Sequence, residues 1–369
     1  MGKKLKLCVI YNGAAHYRAG IFRKLDEEFD CEWFIGPGYG SIKQLPLTFF
    51  KNAHPLKRIE LPGPLFFQKK EASKMLSHKY DAFLVLGNTP NVATWLGLLL
   101  HRLFNRKVKV YSWTHGLLRI RRQPRQWFED LFQKLPDAIF VYGDRAKKIM
   151  IDRGFDGSKI YPVHNSLDYD EQLKYRGNFS NIYKSHFGND NKVLFFIGRL
   201  TPVKKLNMLV SVVDILKNKG KAVNLVFIGA GEMEEKLKEQ VESLNLRDSV
   251  WFYGPCYDEK EKSELIANAD LCVAPGNIGL TAMDTLMYGT PAITMDNFDY
   301  QMPEHEAIKE GKTGTFFKEN DENDLADKIE SWFDSDIDRE AIRQNCYNEI
   351  DTNWNPEYQI EVFKKYLQP

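Results

Sequence analysis

The chain has 369 residues, 43% of them hydrophobic and 27% charged, which is too long for one ordinary core and suits two domains of a soluble globular protein. Five scattered cysteines without CxxC spacing speak against a disulfide framework or a zinc site and fit a reducing, cytoplasmic compartment. The net charge of +1 conceals an imbalance: residues 1–170 carry 28 Lys and Arg against 16 Asp and Glu, the remainder 23 against 34, so the first half is expected to meet something anionic.

In chain order, Leu5–Ile10 is the first strand expected; its apolar part is too short for a secretory h-region, so no leader is expected. It runs into the polar turn Tyr11-Asn12-Gly13-Ala14-Ala15-His16-Tyr17-Arg18, ahead of a helix carrying Ile21, Phe22 and Leu25. Strands are expected at Cys31–Ile35, Ala82–Leu86, Val108–Ser112, Ala138–Tyr142 and Ile160–Val163. Val92–Phe104 is apolar but shorter than the roughly 20 residues that span a bilayer, and reads as a buried helix. Arg119, Arg121, Arg122 and Arg125, with Trp127 and Phe128 close behind, join Phe66, Phe67, Lys69 and Lys70 as a candidate surface for anionic lipid headgroups. No nucleic-acid-binding motif accompanies this positive charge, so nucleic acid is not expected as a partner.

A polar stretch rich in Asn and Tyr precedes a second series of strands at Val193–Ile197, Val223–Ile228, Val250–Phe252, Leu271–Ala274 and Ala292–Met295. The helix expected at Glu232–Leu246 places Met233, Leu237, Val241 and Leu244 on one stripe. Short strands that are apolar throughout and separated by helices require parallel sheets covered on both faces. The fold class is therefore α/β, with two Rossmann-like, doubly wound domains at 1–170 and 192–350. Residues 171–191 read as a linker, and 351–369 as a C-terminal helix returning toward the first domain. Such sheets bind ligands at the C-terminal ends of their strands, so a cleft between the domains is the expected site.

Two segments of the second half carry phosphate-binding chemistry. Val193–Ile197 leads into Gly198-Arg199-Leu200-Thr201-Pro202-Val203-Lys204, where the glycine permits a tight turn and the two cations can grip a diphosphate, Arg as a planar fork and Lys as a point charge. Taken alone this reads more readily as a solvated basic loop. Leu271–Ala274 leads into a loop with Gly276, Asn277 and Gly279, and a helix expected near Leu280 and Thr281 offers free N–H groups to an anion. Asp284 follows about one turn later, within reach of ribose hydroxyls. Asp168-Tyr169-Asp170 has the form of a metal-binding pair but belongs to the domain junction, so no metal is expected.

Together these segments resemble the retaining glycosyltransferase family 4 (glycosyl transferases group 1), in its bacterial surface-polysaccharide form, whose fold is the two-Rossmann GT-B type. The resemblance rests on GRLTPVK (Gly198 to Lys204), VFIGAGEMEEKL (Val226 to Leu237, with Gly229), VWFYG (Val250 to Gly254), NADLCVAPG (Asn268 to Gly276) and GLTAMDTLMYGTP (Gly279 to Pro291), and on VHNSLD (Val163 to Asp168) at the junction. It implies Arg199 and Lys204 on the donor pyrophosphate, amides of Gly279 to Thr281 beside them and Asp284 on the ribose. It also implies no cofactor beyond the sugar nucleotide itself, with UDP preferred over GDP. His115, in Trp113-Thr114-His115-Gly116, matches a histidine that the family often places near the donor sugar. Gly13 and Gly198 belong to the donor side, and His16, Arg18 and Asn88 to the acceptor side. The implied partner is a glycan acceptor; the basic first half points further to a lipid-linked oligosaccharide and to peripheral binding at the inner face of the plasma membrane.

One position departs from the family pattern. Gly276 stands where the first carboxylate of Glu-x7-Glu is usual, and Asp284 where the second is. The transferred sugar is therefore expected to differ at the hydroxyls which that carboxylate contacts, as in a deoxy or acetamido sugar, or another group takes over the contact. A sugar-nucleotide epimerase of the same fold and a non-catalytic partner protein are the alternatives.

Overall fold

The computed structural model describes residues 4–38, 40, 42–335 and 338–369. They form two compact units, Met1–Asp168 together with Asn355–Pro369, and Tyr169–Trp354. The first contains a seven-stranded parallel sheet of β1 (Lys6–Tyr11), β2 (Asp30–Ile35), β3 (Ala53–Pro55), β4 (Ala82–Leu86), β5 (Lys109–Thr114), β6 (Ala138–Val141) and β7 (Ile160–Pro162), in the order β3-β2-β1-β4-β5-β6-β7. Side chains of successive strand residues point to opposite faces. Leu7, Val9 and Tyr11 accordingly join the core with Trp33, Trp113 and Phe140, while Cys8 and Ile10 join the other with Phe83 and Val85.

The second unit repeats the design with β8 (Lys192–Ile197), β9 (Val223–Ile228), β10 (Val250–Gly254), β11 (Leu271–Ala274), β12 (Ala292–Met295) and β13 (Gly314–Phe317), ordered β10-β9-β8-β11-β12-β13 and all parallel. In both sheets the strand order reverses beside the first strand, between β1 and β4 and between β8 and β11. That is the switch point at which doubly wound sheets leave room for a ligand.

Several expectations change. Strand β5 is displaced toward its C-terminus relative to Val108–Ser112, and the helix expected at Glu232–Leu246 is trimmed to Glu234–Ser243. Residues 171–191 are not a bare connector: they carry helices Tyr169–Leu173 and Ile182–Phe187 and group with the second unit, where Tyr183 donates to the Leu265 carbonyl at 2.5 Å. The helix Val92–Phe104 is buried along one face only, through Ala93, Gly97, Leu98 and His101. Its other face exposes Leu96, Leu99, Leu103 and Phe104. Among the described residues, no helix is long and apolar enough to cross a membrane.

Candidate functional site

In the second unit, β8 delivers the chain into the loop that ends at the single turn Pro202–Lys204. Gly198 (φ 141°) and Gly229 (φ 148°) let the loops after β8 and β9 touch: a Cβ on Gly229 would lie 1.9 Å from the Gly198 carbonyl oxygen. Only a residue without a side chain fits that backbone and that gap. The Leu200 N–H bonds the Ala230 carbonyl at 3.0 Å, which closes the contact.

Arg199 is exposed, and among the described residues it has no carboxylate partner. Lys204 is half-buried and donates from Nζ to the carbonyl oxygen of Asn277 at 2.6 Å and to its Oδ1 at 2.7 Å. Burial first, and the neighbouring Arg199 charge second, lower the Lys204 ammonium to about 8, while Glu304 acts in the opposite direction. Two cations that repel each other at a switch point are stabilised by an incoming polyanion.

The facing loop is held from behind. Gln301, 2% exposed, accepts from the Ile278 N–H at 3.0 Å and donates to Thr294 Oγ1 at 2.8 Å; Thr294 in turn donates to the carbonyls of Ala274 and Gly276. Thr281 Oγ1 donates to the Ile197 carbonyl at 2.9 Å and so ties this loop to β8. Gly279 has φ 53°, and among the described residues the N–H groups of Gly279, Leu280 and Thr281 make no backbone hydrogen bond. The following helix, Thr281–Met287, is only two turns long, so these N–H groups matter more than any macrodipole. Gln301 and Thr294 were not expected in the site; their signal is burial of a polar side chain, which composition does not show.

Asp284 stands in the first turn of this helix, one turn past the loop, and its carboxylate is already engaged. Its Oδ1 accepts from Lys262 Nζ at 2.8 Å and from Gln172 Nε2 at 2.8 Å, and Lys262 also pairs with Glu259 at 3.0 Å. Burial opposes the Lys262 charge, and the two carboxylates overcome it and hold the ammonium protonated. Asp284 is thus engaged within the second unit rather than left open for a ribose. Among the described residues, no group of three or more His, Cys, Asp or Glu side chains is placed to hold a metal ion.

In the first unit the expected residues separate. Gly13 faces the loop after β2, where a Cβ would meet the Gly38 Cα at 2.4 Å. His16 is exposed, its Nδ1 3.2 Å from the Lys43 carbonyl. Asn88 lies in the turn after β4, where its carbonyl accepts from the Asn91 N–H. Arg18 and His115, however, come together around one ring. The Arg18 guanidinium lies 4.9 Å from the Tyr142 ring centroid and 5.0 Å from that of Trp113, and the His115 ring is 4.9 Å from Tyr142. Burial of the ring first, and the Arg18 charge second, hold the His115 imidazole down to about 4, so it is neutral at pH 7. Phe66 is fully buried under Arg58 and therefore leaves the expected lipid-facing surface.

Two Rossmann-like sheets, with paired cations and a glycine loop at the switch point of the second, define an α/β protein of the GT-B type. Residues 179–349 match the model of the glycosyl transferases group 1 family. The chain is 31% identical over 153 residues to the putative glycosyltransferase EpsD of Bacillus subtilis (strain 168), covering 41% of this chain and 38% of that protein. It is 25% identical over 195 residues to the poly(ribitol-phosphate) alpha-N-acetylglucosaminyltransferase of Staphylococcus aureus (strain COL), covering 52% of this chain and 36% of that one. The alignments thus span little more than a third of these relatives. Among solved structures, the apo lipopolysaccharide outer core galactosyltransferase WaaB and Anabaena HepE in complex with UDP each superpose with a TM-score of 0.73 at 14% identity, over 98% of this chain and 99% of theirs.

Proposed function

We propose that the chain transfers a hexose-type sugar from a nucleoside-diphosphate sugar to a glycan acceptor, with retention of configuration and without a metal, in surface polysaccharide or glycolipid synthesis. The observation that carries this is the pair Arg199 and Lys204, set at the β8 switch point, with no salt bridge to either among the described residues and with Lys204 bonded to Asn277 in the facing loop of Gly276 to Thr281. As the bond from the sugar's C1 to the diphosphate oxygen breaks, charge grows on the diphosphate, and preorganised cations and N–H groups stabilise it. The acceptor oxygen bonds C1 from the same face, and its proton passes to the leaving phosphate. UDP is the preferred nucleotide; HepE, of the same fold, binds UDP. The absent carboxylate at Gly276 fits a donor altered at the sugar hydroxyls, such as an acetamido sugar. Turnover of UDP-sugars, with glycan acceptors supplied, is expected to fall at least 100-fold in Arg199→Ala and in Lys204→Ala. Near-normal turnover in both variants would remove the pair from the reaction, and formation of an epimer without acceptor would favour an epimerase.

The acceptor is proposed to be lipid-linked, at the inner face of the plasma membrane. Leu96, Leu99 and Leu103 recur at helical spacing on Val92–Phe104, and Trp127, Phe128 and Leu131 line the helix Arg125–Gln133; all six are exposed. The two helices touch through Trp95 and Phe132, whose rings lie 4.9 Å apart. Exposed Arg102, Arg106, Lys107, Arg122 and Arg125 surround these stripes. Apolar side chains beside basic ones are what an anionic bilayer surface accepts. Sedimentation with anionic vesicles is expected at low salt and lost in a Leu103→Ser/Trp127→Ser variant; equal sedimentation of both proteins would place the contact elsewhere.

A further inference from the structure

Arg18 is 8% exposed, and Tyr11, Trp113 and Tyr142 around it are 2% exposed or less. These residues lie at the C-terminal ends of β1, β5 and β6, the edge at which a parallel sheet presents ligands. Arg18 Nη1, the hydroxyls of Tyr11 and Tyr142 and Nε1 of Trp113 are all enclosed; the Tyr142 hydroxyl lies near enough to Arg18 and Tyr11 to interact with both, but among the described residues none of the four atoms makes a well-aligned hydrogen bond. A guanidinium keeps its charge, and an uncompensated buried charge is strongly unfavourable. The ring faces at 4.9 and 5.0 Å offset part of that cost, but a π face does not satisfy an N–H directed past it. The remaining groups can all donate, and they surround a cation; what complements them is an acceptor-rich anion. His115, beside Tyr142, borders the same place.

We infer that Arg18, with Tyr11, Trp113 and Tyr142, forms an oxyanion site in the first unit that takes a phosphate or carboxylate group, separate from the pyrophosphate grip of the second unit. On the reading of the chain as a glycosyltransferase, this group belongs to the acceptor, so the acceptor is acidic near its reactive hydroxyl.

The test needs neither turnover nor a nucleotide, and therefore stands apart from the donor reading. The titration of His115 is followed by NMR in the full-length protein, its resonance assigned by difference with His115→Gln, with and without inorganic phosphate. Arg18 acts on the ring by its charge and Tyr142 lies 4.9 Å from it, so an anion on Arg18 offsets the cation that holds the imidazole neutral. Phosphate is expected to raise the His115 midpoint by about one pH unit. The shift should persist in Lys204→Ala, vanish in Arg18→Gln and shrink in Tyr142→Phe, which keeps the charge and the ring if the buried arginine proves necessary for folding. A shift lost in Lys204→Ala and retained in both first-unit variants would overturn the assignment. Saturating UDP separates the two sources of phosphate: the response to free phosphate should survive it. If UDP alone reproduces and blocks that response, the site holds the donor's diphosphate and the acidic-acceptor inference is overturned.

Discussion

A Cβ at position 276 would lie 2.2 Å from the Val203 carbonyl oxygen and 2.8 Å from the Lys204 Cα, while the Gly276 N–H bonds the Lys204 carbonyl at 3.0 Å. The absent carboxylate is therefore a matter of space as well as of identity, because the backbone that positions Lys204 occupies the volume a side chain would need. Gly276→Glu is expected not to restore a general sugar contact but to displace the Pro202–Lys204 turn. UDP affinity measured by calorimetry should weaken at least tenfold, since misplacing one charge-assisted contact costs about 1.5–3 kcal/mol. Unchanged affinity would mean that the turn yields easily. The glycine was legible in the sequence; the reason for it was not, because Val203 approaches from 73 positions earlier in the chain. The same holds for Asp284, engaged by Lys262 and by Gln172, which lies 112 residues away, and for Arg18, whose ring neighbours arrive on two other strands.

Elements were legible where period and composition agree. The strands of both sheets are apolar on both faces and bounded by polar turns, so their order along the chain could be read directly. Ala53–Pro55 and Gly314–Phe317 escaped because they are edge strands of three and four residues, too short to show a period. Helix Val92–Phe104 misled because hydrophobicity does not tell a core from an exposed apolar face. Its first turn nevertheless carries a buried lock. Glu71 accepts from Thr94 Oγ1 at 2.6 Å and from Asn91 Nδ2 at 2.7 Å, and Asn91 caps the helix through the Ala93 N–H. Burial raises the Glu71 carboxyl from 4.5 to about 7, and the two hydrogen bonds only partly counter it. Between these values the folded state binds more protons than the unfolded one. Stability is thus highest below about 4.5, falls as pH rises through 7 and levels off above, by an amount on the order of 3 kcal/mol. Glu71→Gln should flatten that part of the profile, read as the urea midpoint at pH 5 and pH 8. An unchanged difference between the two midpoints would assign the slope to other groups.

At the scale of the whole chain, the polypeptide leaves the first unit at Asp168 and returns at Asn355, so the second unit is an insertion before the last helix, Pro356–Tyr366. That helix completes the first core. Phe363 is fully buried with its ring 4.9 Å from Trp113 and 4.7 Å from Phe140, Tyr366 stacks on Tyr161 at 3.8 Å, and Gln359 bonds the His164 carbonyl at 3.0 Å. The second unit needs none of this, because its sheet, its cations and the loop behind Gly276 all lie within 169–354. Deleting 355–369 is therefore expected to unfold the first unit and spare the second. UDP binding by calorimetry should persist, while limited proteolysis should attack residues before Asp168. Phe363→Ala, a milder change, should cost about 3–5 kcal/mol in the first unit alone. Because Phe363 supports Trp113 and Trp113 supports Arg18, the variant should also weaken the phosphate response of His115 while leaving UDP affinity intact. Parallel loss of both would mean that the two units unfold as one, and that an insertion in the chain is not an independent body in its thermodynamics.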